Sequence, residues 1–311
     1  MKFNRMKQVE IRPNMTVPEL LAAMKNGGFT CRNVALASEL LEEMIQDNEC
    51  TIFLGLAGAL IPGGMREILR IMIEKNMVNC IVTTGANISH DLLETSGGSH
   101  YHGSEYLDDE KLKKMHMSRI FSTLISYDSF VKFESLAQKI LQNISDQKMS
   151  SHQFLFELGR YIDDPRSILR TAFLKKVPIF SPSFADSMLG VQTWLFSQTT
   201  PIYIDVLKDH SEFTKIIYET ERMGALFLGG GVPKHFIMNG SQLHNGLSYA
   251  IQVTLDRPEH GGVSGASVKE AISWGKVAAE AKWIDVTSDV TLVLPLIISG
   301  VLSRLSNGMH K

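Results

Sequence analysis

The feature that most constrains this chain is an alternation, repeated at least six times, of a β-rich apolar run and a segment with helical periodicity. The runs occupy residues 50–60, 79–87, 177–186, 224–231, 249–255 and 283–290. The first reads CTIFLGLAGAL, and the amphipathic segment MREILRIMIEKN follows it. Such alternation is typical of a parallel sheet covered by helices. We therefore predict an α/β fold with a doubly wound, mostly parallel sheet and helices on both of its faces.

The same pattern predicts a single domain over residues 1–311. A short helical arm around TVPELLAAMKNGG precedes the first strand and occupies residues 1–48. Residues 104–176 carry helical periodicity and are expected to form a mostly helical addition. No linker, repeat or low-complexity stretch divides the chain.

Charge and cysteine content exclude several classes of protein. The chain has 31 Lys and Arg against 33 Asp and Glu, a net charge of −2, which argues against nucleic acid as a partner. Its three cysteines have no metal-ligand or disulfide spacing, so a reducing cytoplasm is the expected location. The apolar stretch VTLVLPLII is too short to span a bilayer, and no membrane association is expected.

One polar cluster contains potential metal ligands. The segment SHYHGSEYLDDE includes His100, His102, Asp108 and Asp109. Their spacing matches no known ligand pattern, so we expect a solvated polar loop and no metal.

Small and polar residues gather where the predicted strands end, in GLAG, TTGAN, SFAD, GGG and TSD. In open parallel sheets, ligands bind beyond the carboxyl ends of the strands, where backbone amides meet phosphates. A nucleotide site is one interpretation of this pattern. Because no glycine-rich nucleotide fingerprint is complete, plain tight turns are an equal alternative.

The segment HGGVSGASVKEAISWGK, residues 260–276, places a lysine in an unusual context. Ser267 and Glu270 have the spacing of a capping box, and we predict a helix over Val268–Ala281. Lys276 would then lie on its apolar face. It is either a lysine whose ammonium extends into water or a buried amine that acts as a nucleophile.

Three neighbours of this lysine could take part in amine chemistry. Trp274 and Glu270 are four residues apart and could together bind an alkylammonium group, although a tryptophan packed beside a solvated glutamate is equally consistent. Gly275 permits the local distortion that a pocket containing both Trp274 and Lys276 needs. His235 follows GGGVPK and could accept a proton near neutral pH, or it could be a surface residue.

Five motifs occur in an order and with a spacing that resemble the deoxyhypusine synthase family from about residue 15 to the C-terminus. They are CTIFLGLAGALIPGGMRE, IVTTGAN, FSPSFADS, GGGVPKH and SGASVKEAISWGK. The resemblance implies a Rossmann-like fold that binds NAD and transfers an aminobutyl group from spermidine. It also implies a homotetramer with active sites at subunit interfaces.

The resemblance implies roles for individual residues. Lys276 is expected to be the covalent nucleophile and His235 the proton acceptor. Six residues are expected to bind the polyamine: Asn239, Gly261, Gly262, Ser264, Glu270 and Trp274. Nine are expected to bind NAD: Thr84, Gly85, Ala86, Asp186, Gly229, Gly230, Asp256, Ser288 and Asp289.

The chain departs from the eukaryotic family pattern where carboxylates or a second histidine are expected, at Ser89, His90, Val191, Phe236 and His260. Because each desolvated ammonium needs a partner, these changes bear on which amine is bound. Three functions remain open. In the first, the aminobutyl group passes to the lysine of the hypusine-bearing translation factor. In the second, it passes to putrescine and forms homospermidine. In the third, the chain is a non-catalytic nucleotide-binding regulatory or assembly protein.

Overall fold

The computed structural model describes residues 5–144 and 148–308. The helices are α1 Val17–Met24, α2 Phe29–Gln46, α3 Arg66–Glu74, α4 Gly85–Thr95, α5 Asp109–Lys114, α6 Tyr127–Ile144, α7 Ser151–Tyr161, α8 Ile168–Lys175, α9 Met188–Ser197, α10 Lys208–Tyr218, α11 Gly231–Ser241 and α12 Val290–Gly308. The strands are β1 Cys50–Leu56, β2 Cys80–Thr83, β3 His100–His102, β4 Met117–Ile120, β5 Thr123–Ser126, β6 Lys148–Met149, β7 Ile179–Phe180, β8 Tyr203–Ile204, β9 Arg222–Leu228, β10 Leu247–Thr254 and β11 Val277–Thr287. Two short 3-10 helices, Pro258–His260 and Val268–Trp274, lie between β10 and β11.

The chain divides into two compact units, one formed by Met1–Gly55 with Thr214–Lys311 and the other by Leu56–Phe213. In the first unit the strands are ordered β11-β10-β9-β1, and β10 pairs in parallel with both β9 and β11. In the second unit β2 pairs in parallel with β7. Each of the six predicted β-rich runs overlaps one of these strands. The predicted α/β class, a mostly parallel sheet with helices around it, is confirmed.

Strands β9 and β10 of the first unit are recognisable from sequence because they are buried on both faces. Six consecutive residues of β9 are buried, and β10 is almost as enclosed. Such strands are continuous apolar runs and do not alternate with polar residues. The N-terminal helices pack in the same unit, where Asn33 of α2 donates to the backbone oxygen of Asp285 at 2.9 Å.

One predicted helix is wrong. Residues 268–281 do not form a continuous helix, because the 3-10 helix stops at Trp274 and strand β11 begins at Val277. Gly275 ends the helix with a φ of 67°, the left-handed conformation that glycine adopts without a steric penalty. Val277 and residues 282–287 pair with β10, with a register shift across residues 278–281, so tertiary pairing overrides the helical propensity of this segment.

The second unit is organised around a buried arginine at the start of α3. The Arg66 guanidinium lies 2.7 Å from Asp91, 3.0 Å from Asp164 and 3.3 Å from Glu94. Asp91 also accepts hydrogen bonds from the backbone amides of Ile168 and Leu169 at the first turn of α8. Removing the guanidinium would leave buried carboxylates unpaired, at a cost of about 3–5 kcal/mol.

The segment 104–176 contains helices α5–α8 together with short strands. Strands β3, β5 and β4 form an antiparallel sheet in that order, and β6 pairs with β8. The polar cluster from 99 to 110 is therefore not a solvated loop throughout, since β3 lies within it and Asp108 caps α5 through bonds to the Glu110 and Lys111 amides. Across residues 5–144 and 148–308, no helix is both long and apolar enough to cross a membrane.

Candidate active site

The first element of the candidate site is the turn between β9 and α11. A side chain at Gly230 would place its Cβ 2.3 Å from the Cα of Ser264, so only glycine allows this approach of the two loops. The hydroxyl of Ser264 accepts a hydrogen bond from the amide of Gly231 at 2.7 Å. The loop after β10 is thus held against the N-terminus of α11, which carries Lys234 and His235.

Lys276 occupies the link between the 3-10 helix and β11. Its amide donates to the backbone oxygen of Ala271 at 3.0 Å. Its own backbone oxygen accepts from the amide of Leu247 at 3.0 Å and from the hydroxyl of Ser241 at 2.8 Å. The backbone of this lysine is therefore fixed from three sides, which limits where its half-buried side chain can reach.

These elements enclose a pocket of about 230 Å³ within the first unit. The Nζ atom of Lys276 lies 5.6 Å from the centroid of the Trp274 ring, a cation–π distance, and Trp274 is 64% exposed. The pocket is lined by Lys234, His235, Met238, Gly261, Val263, Ala266, Ser267, Glu270, Ala271, Trp274 and Lys276. Four ionisable side chains thus face one small volume.

His235 is exposed on α11 and is held by its own helix. The Nδ2 atom of Asn239, one turn further on, lies 3.3 Å from its Nδ1 atom. Partial burial and then the positive charge of Lys276 lower the pKa of His235 below its usual value of 6.5. The imidazole is therefore neutral at pH 7 and able to accept a proton.

Lys234 is the fully buried amine of the pocket, at 1% exposure. Its ammonium donates to the side-chain oxygen of Gln252 at 2.8 Å and to the backbone oxygens of Val263 and Ala266 at 2.9 and 2.5 Å. All three donors of the ammonium are satisfied, and two of them hold the loop that walls the pocket. Burial lowers the pKa of Lys234 to about 8, although Asp285 and Glu270 oppose the shift.

Asp285 on β11 supports the opposite wall of the pocket. Its carboxylate oxygens lie 3.2 and 3.3 Å from the amide of Val268, at the start of the 3-10 helix that carries Glu270 and Trp274. Burial raises the pKa of Asp285, and Lys234 opposes that rise. Sequence reasoning did not single out Asp285 or the structural role of Lys234. The signal available for both was a charged residue within an otherwise apolar stretch.

The structure brings together five residues that were predicted for catalysis or polyamine binding: His235, Gly261, Glu270, Trp274 and Lys276. Asn239 contacts His235, and Ser264 bonds to Gly231 as described above. Gly262 lies beside Gly261 in the exposed part of the same loop. The Ser267 hydroxyl accepts from the Glu270 amide at 3.2 Å, which is one of the two bonds of the predicted capping box.

The residues predicted for NAD lie beyond the carboxyl ends of parallel strands in each unit. In the first unit, Gly229 and Gly230 follow β9, Asp256 follows β10, and Ser288 and Asp289 follow β11. The Asp289 carboxylate accepts from the amide of Thr291 at 2.8 Å and so caps α12. Adjacent parallel strands end at one edge of a sheet, so these residues share that edge.

In the second unit, Thr84, Gly85 and Ala86 follow β2, and Asp186 follows the neighbouring strand β7. Gly85 and Ala86 form the first turn of α4, and Thr84, at the N-cap position, makes no side-chain capping bond. The side chain of Thr84 therefore accepts no hydrogen bond from the backbone amides of this turn. Such a helix N-terminus suits a phosphate group.

Fold and pocket together define an α/β protein with a mostly parallel sheet, in which Lys276 and His235 line one pocket. The family model described as "Deoxyhypusine synthase" matches residues 19–301. The chain is 40% identical over 301 residues to "Probable deoxyhypusine synthase 1" of Methanosarcina acetivorans, covering 96% of this chain and 95% of that one. It is also 40% identical over 300 residues to "Probable deoxyhypusine synthase" of Methanothermobacter thermautotrophicus, covering 96% and 97%.

A solved structure of a "putative deoxyhypusine synthase" from Entamoeba histolytica has a TM-score of 0.67 to this chain, with 18% identity and 96% coverage of both chains. This likeness supports the fold. The chain belongs to the deoxyhypusine synthase family. It is therefore an enzyme of the aminobutyltransferase class.

Proposed function

We propose that the protein transfers the aminobutyl group of spermidine, with NAD as cofactor, to the acceptor lysine of the hypusine-bearing translation factor. The observation that carries this proposal is the convergence of Lys276, His235, Glu270 and Trp274 on one pocket of about 230 Å³. A nucleophilic amine, a neutral base and a cation-binding surface are the groups that such a transfer requires.

Glu270 and Trp274 form the cation-binding wall of the pocket, and its role is to hold the substrate. Glu270 supplies a negative charge, and Trp274 supplies the face of an aromatic ring that already lies at a cation–π distance from Lys276. Together they orient one ammonium end of spermidine. The carbon that reacts is thereby presented to the side chain of Lys276.

The second role belongs to His235 and Lys276. His235 accepts the proton of the spermidine nitrogen as that nitrogen and its neighbouring carbon are oxidised to an imine. The Nζ atom of Lys276 gives up a proton and adds to the imine carbon; the departing nitrogen takes that proton as its bond to the carbon breaks, and 1,3-diaminopropane leaves. The amine of the acceptor displaces Lys276 by the same addition and elimination, and reduction of the new imine completes the transfer.

The chain has groups that fit NAD. The N-terminus of α4 has no side-chain cap, so its backbone amides suit a phosphate group of NAD. The family resemblance implies NAD contacts for Thr84–Ala86 and Asp186 of the second unit and, separately, for Gly229, Gly230, Asp256, Ser288 and Asp289 of the first unit. When bound, NAD supplies the acceptor for the hydride that leaves the amine and the donor for its return.

A protein lysine is the acceptor we favour because the wall of the pocket beside Lys276 is open. Trp274 is mostly exposed and Lys276 is half-buried, so a long side chain from another protein can reach the Nζ atom. The family resemblance supports the same acceptor. It also supports a homotetramer located in the cytoplasm, and light scattering of the purified protein tests the assembly.

A turnover assay tests the proposal. Purified protein is incubated with NAD, labelled spermidine and either the translation factor or putrescine, with Lys276→Arg as the control. Label in the factor, together with release of 1,3-diaminopropane, is the expected result. Label in homospermidine instead would identify the free-amine reaction. No transfer to either acceptor at saturating NAD and spermidine would contradict the proposal and favour a non-catalytic role.

A further inference from the structure

Gln252 is a buried polar side chain of the first unit that the amine chemistry above does not use. It lies on β10 between the fully buried Ile251 and Val253, and it is only 1% exposed. A primary amide in such surroundings is costly unless both its oxygen and its nitrogen have hydrogen-bond partners. The partners of Gln252 therefore indicate its role.

The two ends of the Gln252 amide bond to different elements. Its Oε1 atom accepts from the Nζ atom of Lys234 at 2.8 Å, and its Nε2 atom donates to the backbone oxygen of Ser264 at 2.7 Å. Because a backbone oxygen can only accept, one orientation of the amide satisfies both bonds. Three oxygens surround the Nζ atom of Lys234, so this amine carries three hydrogens and is an ammonium.

Gln252 and Lys234 together hold three backbone oxygens of one loop. Lys234 donates to two of them and Gln252 donates to the third. The three oxygens belong to Val263, Ser264 and Ala266. We call residues 262–266 the wall loop, because Val263 and Ala266 line the pocket. The wall loop is thus tied to β10 and to α11 by one pair of buried side chains.

The residues that follow the wall loop are held from the neighbouring strand. Gln252 is paired in register with Asp285 of β11, so both side chains lie on the same face of the sheet. Asp285 accepts from the amide of Val268, as described above. One face of the sheet therefore fixes the backbone from the wall loop to the start of the 3-10 helix that carries the cation-binding wall.

We propose that Gln252 is a positioning residue for amine binding, which keeps the wall loop in the conformation that binds spermidine by bonding Lys234 and the loop at once. This inference rests on the proposed function. Gln252 is not among the residues that line the pocket, so it acts through the loop and touches no substrate.

The physical reason is the cost of unpaired polar groups. Without the Gln252 amide, the Ser264 oxygen and one N–H of the Lys234 ammonium would be left without their partners, and the loop would relieve this by opening toward water. A loop that is formed for only part of the time weakens ligand binding in proportion to that fraction.

Two variants of Gln252 test the proposal. Gln252→Met keeps the length of the side chain and removes both bonds, so KM for spermidine at saturating NAD should rise roughly fivefold or more, while kcat should change by less than about threefold. Gln252→Glu keeps an oxygen for Lys234 and removes the donor to Ser264. A rise in KM in this variant would assign the effect to the bond with the wall loop.

Ile251→Val is the control for a general loss of stability. Successive side chains of a strand point to opposite faces, so Ile251 lies on the other face of β10 from Gln252. The variant removes one buried methylene group, and KM for spermidine should stay unchanged.

Hydrogen exchange followed by mass spectrometry provides a readout that needs no turnover. The amides of Gly265 and Ala266 donate to the backbone oxygen of Gly262 within the wall loop, both at 3.2 Å. They should exchange faster in both Gln252 variants than in the unsubstituted protein, and at the unsubstituted rate in Ile251→Val.

Circular dichroism confirms that each variant is folded, and Gln252→Glu provides the test if Gln252→Met does not fold. Unchanged exchange in the wall loop of the folded Gln252 variants would overturn the proposal. So would an unchanged KM, or an equal rise in KM in Ile251→Val. If the unsubstituted protein binds spermidine without transferring it, the proposed function alone fails, and the calorimetric Kd of spermidine replaces KM with the same rise expected. No binding of spermidine by the NAD-loaded protein would overturn both.

Discussion

The pocket of the first unit and a cavity within the second unit have almost the same volume, about 230 and 240 Å³, and opposite chemistry. The cavity is lined by Ala86, Ser89, His90, Leu93, Phe130, Phe133, Ser187 and Met188. Lys234, His235, Glu270 and Lys276 line the pocket, whereas His90 is the one ionisable residue among the eight that line the cavity. Volume alone therefore does not identify a reaction site. A reaction site is identified by the number of ionisable groups that share the space and by the direction in which they shift one another's pKa values.

The largest expected effect concerns His235, the proposed proton acceptor of the pocket. His235→Asn removes the proton acceptor, and kcat for aminobutyl transfer should fall by about 10²–10⁴. Steady-state kinetics at saturating spermidine measures it, with exposed His102→Asn as the control. A fall of less than about tenfold would mean that another group accepts the proton.

The next effect concerns Lys234 and the stability of the pocket wall. The pKa of Lys234 is lowered from 10.5 in the unfolded chain to about 8 in the folded protein. Between these pH values the unfolded chain binds more protons, so the free energy of unfolding rises with pH. The cost of the buried charge is fully present below pH 8 and is relieved above 10.5.

Lys234→Met removes this pH dependence. The free energy of unfolding of the unsubstituted protein should rise relative to the variant by up to roughly 3 kcal/mol across this range. Urea denaturation at several pH values measures the difference. Lys269 is an exposed lysine on the 3-10 helix, and Lys269→Met serves as the control, for which the difference in the free energy of unfolding should not change with pH in this way. A difference in the free energy of unfolding between the unsubstituted protein and Lys234→Met that stays the same at every pH would contradict the account.

A smaller effect tests the cation-binding wall. Trp274→Leu removes the aromatic face while keeping an apolar side chain. The loss of a cation–π contact, about 0.5–2 kcal/mol, should raise KM for spermidine by roughly 2- to 30-fold and change kcat less. A fall in kcat without a change in KM would show that the ring does not bind the ground-state amine.

The smallest expected effect is electrostatic. Because the charge of Lys276 helps to lower the pKa of His235, Lys276→Met should move that pKa upward, toward 6.5. In the unsubstituted enzyme, activity that requires neutral His235 should be lost only when pH falls below 6.5. Imidazole NMR titrations of both proteins compare the two values. Identical titrations would show that the two side chains do not interact.

The predictable part of the fold came from strands buried on both faces. Runs such as GALFLGGG and YAIQVTL are mostly apolar, and tight glycine turns follow several of them, so β9 and β10 could be located from sequence. The region around Lys276 could not be located in this way. Residues 277–287 have helix-forming composition, and their strand conformation depends on pairing with β10, which no local pattern encodes.

The site was predictable to the extent that motifs mark individual residues. The motifs identified Lys276, His235, Glu270 and Trp274, which do line one pocket. They did not show that Lys234 is the fully buried amine or that Asp285 holds the facing helix, because both roles depend on contacts between residues distant in sequence. The bonds between His90, His100 and Glu94 were also missed, because they join α4 to strand β3, which lies where the sequence predicted a solvated loop.

The measurement that tests the central claim most directly is chemical trapping of the covalent intermediate. The protein is incubated with NAD and labelled spermidine, reduced with borohydride, digested and analysed by mass spectrometry. An aminobutyl adduct on Lys276, absent in Lys276→Arg and absent without NAD, is the predicted result. An adduct on Lys234 or another lysine, or none under saturating conditions, would contradict the assignment of Lys276 as the nucleophile.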